Sequence, residues 1–236
     1  MLQLCFFGGG SLLCRWWKEK YECILLFAHG VWFSRGIVRY LHHEKTDTAH
    51  TMEEREYLEQ YEKRLEKLLA GICGSEGGMF LVEELEERWT EDAPEYMADA
   101  VGQINSYPAF TLAVAGFYGM ALAALWDTAW EAHKRDSYAL FKQCGGGFDT
   151  IDEYILEKIV GVAPDSDARK GIDNMMRTLS HTVMSAIQHE NIEHQTTRAF
   201  YILARSAKVM FRAGVTIELR RRGYHYEKVK LADFVN

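Results

Sequence analysis

Between Asp99 and Asp127 the chain carries no charged side chain. The centre of this stretch, Ala109–Trp126, is rich in Ala and holds Gly116 and Gly119. A helix that is apolar on every side has to be surrounded, either by protein or by lipid. Its length approaches the roughly 18–20 residues that a bilayer span needs, and Ala115 with Gly119 forms a small-xxx-small pair. Against lipid stand Gln103, Asn105 and Ser106 in the flank, acidic residues on both sides, and a composition of Ala rather than Leu and Ile. The stretch therefore reads as the buried central helix of a bundle, its small residues admitting close neighbours, and no membrane partner is expected.

Helical periodicity extends on both sides of that segment, and no run alternates as a strand would. Met52–Ile72 places Leu58, Tyr61, Leu65, Leu68 and Leu69 at helical spacing and ends in a Gly-rich loop. A short helix over Phe80–Trp89 follows. Thr90 or Asp92 then offers a cap for another helix with Pro94 in its first turn. Tyr107-Pro108 breaks that helix, because proline disfavours the helical region for the residue before it. Ser137–Gln143 predicts a short helix stopped by Gly145-Gly146-Gly147, and Asp149 or Thr150 can cap Ile151–Val160. Ser166 caps a predicted helix from Asp167 to Glu193, and a last helix runs from Thr197 to Arg222. Ile172, Met176, Leu179, Val183 and Ile187 stripe the first of these two; Phe200, Leu203, Ala207, Met210, Gly214 and Ile217 stripe the second. The fold expected is all-α, a multi-helix antiparallel bundle with a buried Ala-rich central helix and a C-terminal antiparallel helix pair.

Residues 1–51 differ in character. They contain Cys5, Cys14, Cys23, Trp16, Trp17, Trp32 and four of the nine His. They fit no secretory signal, since Met1–Leu4 carries no cation and Arg15 interrupts the apolar run. They read as an N-terminal extension, with Met52 as an alternative native start, and residues 52–236 as a single helical domain. The five Cys form no C-x-x-C pair, so neither a disulfide scaffold nor a common zinc knuckle is indicated, and a cytoplasmic location is expected.

The most chemical-looking segment is His189-Glu190-Asn191-Ile192-Glu193-His194. A zincin needs His-Glu-x-x-His, with both imidazoles on one helical face; here the second His comes one position too late. Residues from Met52 onward contain no Glu-x-x-His of the di-iron kind, so no metal is assigned and no cofactor is identified. In a regular helix Glu190 and His194 would continue the apolar stripe inward, making Glu190, His194 and the nearby Arg198 candidates for a polar pocket that takes an anionic ligand. A helix that frays or bends near Thr196 would instead leave both in water. The loop Gly145–Thr150 enters a helix but lacks the Lys-Ser/Thr of a P-loop.

Charge is segregated along the chain. Residues 52–99 hold 15 acidic and 5 basic side chains, whereas residues 198–230 hold 9 basic and 2 acidic. Arg198, Arg205 and Arg212 recur every seven residues, on one flank of the last helix, and Arg220, Arg221 and Arg222 favour its C-terminus. The basic flank (Arg205, Arg212, Arg220, Arg221, Arg222) could face the acidic helix within one molecule, face it across a dimer, or bind an acidic partner or nucleic acid. An overall charge of −7 and no helix-turn-helix signature make nucleic acid the weakest of these. The function expected is that of a non-catalytic interaction or structural module that self-associates. An enzyme or ligand-binding bundle with a site near Glu190 and His194 is the alternative, and nucleic-acid binding through the last helix comes third.

Overall fold

A computed structural model describes residues 48–226, with side chains from Met52 onward. The described residues from Ala49 onward belong to one compact unit. The character of residues 1–47 therefore lies outside the described residues. Seven α-helices and no strand are found among those described, so the fold is all-α.

The helices are α1 (Thr48–Ile72), α2 (Glu83–Gln103), α3 (Pro108–His133), α4 (Tyr138–Cys144), α5 (Ile151–Tyr154), α6 (Asp167–His189) and α7 (Thr197–Arg221). The boundary drawn at Met52 falls inside α1. Pro108 opens α3 at its first position, and Ser137, Ser166 and Thr196 cap α4, α6 and α7 by accepting a hydrogen bond from the backbone N–H three residues on. Around α5 no side chain caps; a 3₁₀ turn at Phe148–Thr150 precedes it and a π turn at Ile155–Ile159 follows.

Two expected boundaries move. The break near Thr90 does not occur: α2 runs straight through Pro94. Leu85, Trp89, Asp92, Tyr96, Met97 and Ala100 form one continuous buried face, and that burial outweighs the single backbone bond Pro94 removes. Asp92 caps nothing, because its carboxylate is engaged inside the protein. In addition, α6 stops at His189 rather than Glu193, and Asn191 (φ 49°) and Gln195 (φ 64°) turn the chain in left-handed conformations.

Helix α3 is the centre of the unit. Every residue from Thr111 to Ala124 is buried, and 78 % of its most apolar window lies inside the protein. Ala129 leaves helical geometry and kinks its last turn. The α7 helix packs chiefly against α3, more than against its sequence neighbour α6. Gly116 meets Met210 and Gly214, and Gly119 meets Phe211 and Val215. The pairs Glu54–Arg198, Glu62–Arg205 and Asp127–Arg222 show that α1, α3 and α7 run one way. The pairs Asp92–Tyr118 and Tyr96–Thr111 turn α2 the other way, as the short 190–196 turn does α6. Trp89 stacks on Phe211 at 4.7 Å, and Tyr118 packs edge-on to Tyr138 at 5.5 Å, closing the aromatic core between α2, α3, α4 and α7.

A Cβ on Gly214 would collide with the Gly116 carbonyl, lying 2.7 Å from its carbon, and one on Gly119 would lie 3.0 Å from the Phe211 carbonyl carbon. Neither obstacle is a side chain that could swing aside. Gly214→Ala and Gly119→Ala therefore each destabilise the fold by about 1–3 kcal/mol through overpacking, although alanine is the better helix former. Gly171→Ala, in α6 with open space around it, gains about 0.5–1 kcal/mol. Urea unfolding of the three variants checks the contrast. Equal effects at all three positions would show that the α3–α7 approach is not tight.

Candidate functional site

Of the sequence candidates, Glu190 and Arg198 meet around Tyr57 of α1, whereas His194 stands apart. Glu190 follows the last residue of α6 and is half-buried against α1. Its carboxylate accepts hydrogen bonds from the Tyr57 hydroxyl and from Arg64 Nη2 at 3.0 Å. Arg198 lies over the Tyr57 ring, 4.3 Å from its centre, and its Nε is 3.0 Å from Glu54 Oε1. His194 is exposed in the turn between α6 and α7. Because α6 has ended five residues earlier, the helical register that would carry His194 inward no longer applies. Of the two readings of this segment, the end of α6 leaves His194 in water, and the interior Glu190–His194 pair does not form; Glu190 instead makes a Glu190–Tyr57–Arg64 contact between α6 and α1. Burial, followed by the bond to Glu190, pushes the Tyr57 hydroxyl up to about 12, so it stays protonated and donates. Burial does the same for Tyr61, whose hydroxyl shares a 2.7 Å hydrogen bond with Ser206.

This contact closes one end of an open groove of about 810 Å³ between α1 and α6. Tyr61, Leu65 and Leu68 of α1 and Ala186 of α6 supply its apolar surface; Arg64, Arg177, His181 and His189 stand around its edge. Leu68 is 50 % exposed there, although it belongs to the apolar face that sequence periodicity assigns to α1. Its neighbours Leu65 and Leu69 are buried. His181 is exposed and lines this edge.

The basic flank of α7 turns inward. Arg205 pairs with Glu62, and Lys208 Nζ lies 3.3 Å from Glu62 Oε1. Arg212 grips Glu86 with two bonds of 2.7 and 2.6 Å, reaches Glu62 at 3.1 Å, and contacts Glu66. Arg220 donates to the Gly74 carbonyl. Arg221 and Arg222 clasp the fully buried Glu218, and Arg222 also reaches Asp127 at 2.8 Å. The acidic front and the basic end of the sequence thus meet within one molecule. Burial alone would raise the Glu62 carboxyl, but Lys208, Arg205 and Arg212 hold it below the usual carboxylate range.

Sequence reasoning missed one interior cluster. Asp92, 2 % exposed, accepts from Arg88 Nε at 2.7 Å and from the buried Tyr118 hydroxyl. The i,i+4 spacing of Arg88 and Asp92 was its only signal. Among the described residues no group of three or more His, Cys, Asp or Glu is placed to hold a metal ion. Cys73 is buried, which pushes its thiol up to about 11, and Cys144 is exposed. The chain matches no protein-family model, no curated protein and no solved structure.

Glu62→Gln is expected to lower stability by about 2 kcal/mol near neutral pH, because two guanidinium groups lose a charged acceptor while Glu66 and Glu86 still face Arg212. A carboxylate held below its unfolded value contributes fully above that value and loses its contribution as pH falls through the folded one. The gap between wild type and variant should therefore narrow from pH 7 to about pH 3. Denaturant unfolding at both pH values measures it; a gap independent of pH would show that the Glu62 charge is not what stabilises the belt.

Proposed function

We propose that the protein is a non-catalytic interaction module that associates with a second copy of itself, using the groove between α1 and α6 and the exposed face of α1 beside it. One observation carries this reading: a half-exposed Leu68 at the lip of an open groove with an apolar floor. Concave apolar surface of this kind, rimmed by charge, is the form in which helices receive other helices. The edge carries Arg64 and Arg177, and α1 itself begins with exposed Glu53, Glu56 and Glu59. The chain therefore carries the oppositely charged helix that its own groove edge would attract.

The placement of the other candidates supports the same reading. The guanidinium groups of α7 already have acceptors in the same molecule, which weakens the case for nucleic acid through that helix. Glu190 serves as a wall of the groove, held by Tyr57 and Arg64. Among the described residues Cys73 and Cys144 are free thiols, in keeping with the cytoplasmic location expected from the sequence.

Size-exclusion chromatography with light scattering tests the proposal. Wild-type protein should run as a discrete dimer that weakens as salt rises. Leu68→Glu, a substitution at an exposed position, should weaken association at least tenfold while leaving helix content unchanged. A wild-type monomer at all accessible concentrations would overturn the proposal.

A further inference from the structure

The exposed face of α1 has a charge order that specifies how two copies would meet. Glu53, Glu56, Gln60, Lys63 and Lys67 are all exposed and follow one another at intervals of three, four, three and four residues. That spacing keeps them on one stripe of the helix. Glu53 and Glu56 occupy the first half of the stripe, with Glu59 at its margin between Glu56 and Arg55; Lys63, Arg64 and Lys67 occupy the second half. Gln60, uncharged, sits at the changeover. Arg55, the one cation in the acidic half, lies off the stripe, about 100° round the helix. In the basic half the acids point elsewhere: Glu62 is buried and Glu66 is tied to Arg212.

A parallel pairing of two such stripes would set acid against acid and base against base. An antiparallel pairing sets each acidic half against the partner's basic half, and it does so twice by symmetry. That is the property of an isologous two-fold interface, in which one patch is its own complement. From Glu53 to Lys67 the stripe is about 21 Å long. The groove opens alongside the basic half, and Arg64 reaches from that half to its edge. In this arrangement Leu68 and the groove floor bury apolar surface while the two charged halves set direction.

We infer that two copies associate through α1 packed antiparallel on α1 about a two-fold axis near Gln60. This rests on the self-association proposed above and adds the surface, the direction and the register. Exposed ion pairs contribute individually little, about 0.2–1 kcal/mol each, so they select the direction more than they supply the affinity. The residues involved are exposed, and exchanging their signs leaves the fold intact.

Two variants and their mixture test it. One carries Glu53→Lys, Glu56→Lys and Glu59→Lys; the other carries Lys63→Glu and Lys67→Glu. Circular dichroism confirms that each retains its helices. Each variant alone should lose self-association at least tenfold, because its face is now of one sign along most of its length. A one-to-one mixture of the two should recover a dimer containing one of each, read by light scattering and by a mass difference between the chains. If wild type dimerises and either variant alone dimerises equally well, the α1 pairing is wrong while self-association stands. If both variants are monomeric and the mixture does not recover a dimer, the antiparallel complementarity is wrong. A monomeric wild type overturns the self-association reading itself, and this inference with it.

Discussion

The closeness of α3 and α7, set by Gly116 and Gly119 on one helix and Gly214 on the other, is the constraint on which the other contacts rest. At these positions one backbone lies where a side chain would otherwise be. The dispersion contacts made by such an approach are individually small, but they run along two long helices whose facing residues are nearly all buried. Once α7 is seated there, its remaining faces have fixed neighbours. Phe211 meets Trp89 of α2, Ser206 meets Tyr61 of α1, and Thr216 accepts from the backbone of Phe80.

A further consequence of seating α7 is electrostatic. Arg205, Lys208 and Arg212 come down between α1 and α2 at the level of Glu62, Glu66 and Glu86, making a belt in which partly buried charges all have partners. Removing charges from water is unfavourable unless the geometry of pairing is good, so a belt like this specifies one alignment of three helices more than it adds raw stability. The modest net charge of −7 conceals this arrangement, because the two large and opposite local balances cancel inside the molecule.

The belt also explains why the site proposed for association lies where it does. It engages one side of α1 through Glu62 and Glu66, as the Glu54–Arg198 pair does nearer the start of the helix, and Tyr61, Leu65 and Leu69 are buried beside it. What remains outward is the stripe from Glu53 to Lys67 and the lip at Leu68. On the far side of the groove, α6 shows His181 and His189 with Arg177. Glu190, the carboxylate most suggestive of chemistry in the sequence, closes the groove against α1.

Much of the architecture was legible from local pattern: the all-round apolar α3, Pro108 at its start, the Ser166 cap, and the stripes of α6 and α7. These follow from hydrophobic period and capping chemistry, which act within a few residues. The continuity of α2 through Pro94 was not legible, because a proline reads as a boundary until the buried face crossing it is known. Which of the two readings of His194 holds was not legible for a related reason. A helical register extends only as far as the helix, and the left-handed turns at Asn191 and Gln195 end it. The charge segregation was visible in the sequence, as was the alternative that the two ends meet in one molecule. Which alternative holds was decided only by tertiary structure, since a salt bridge 150 residues apart depends on how helices pack and not on the residues between them. By itself, then, the sequence determined which segments are helices and which must be buried. Tertiary packing decided which charges were neutralised and which face of α1 was left outward, because long-range pairing is settled by the close approach of α3 and α7.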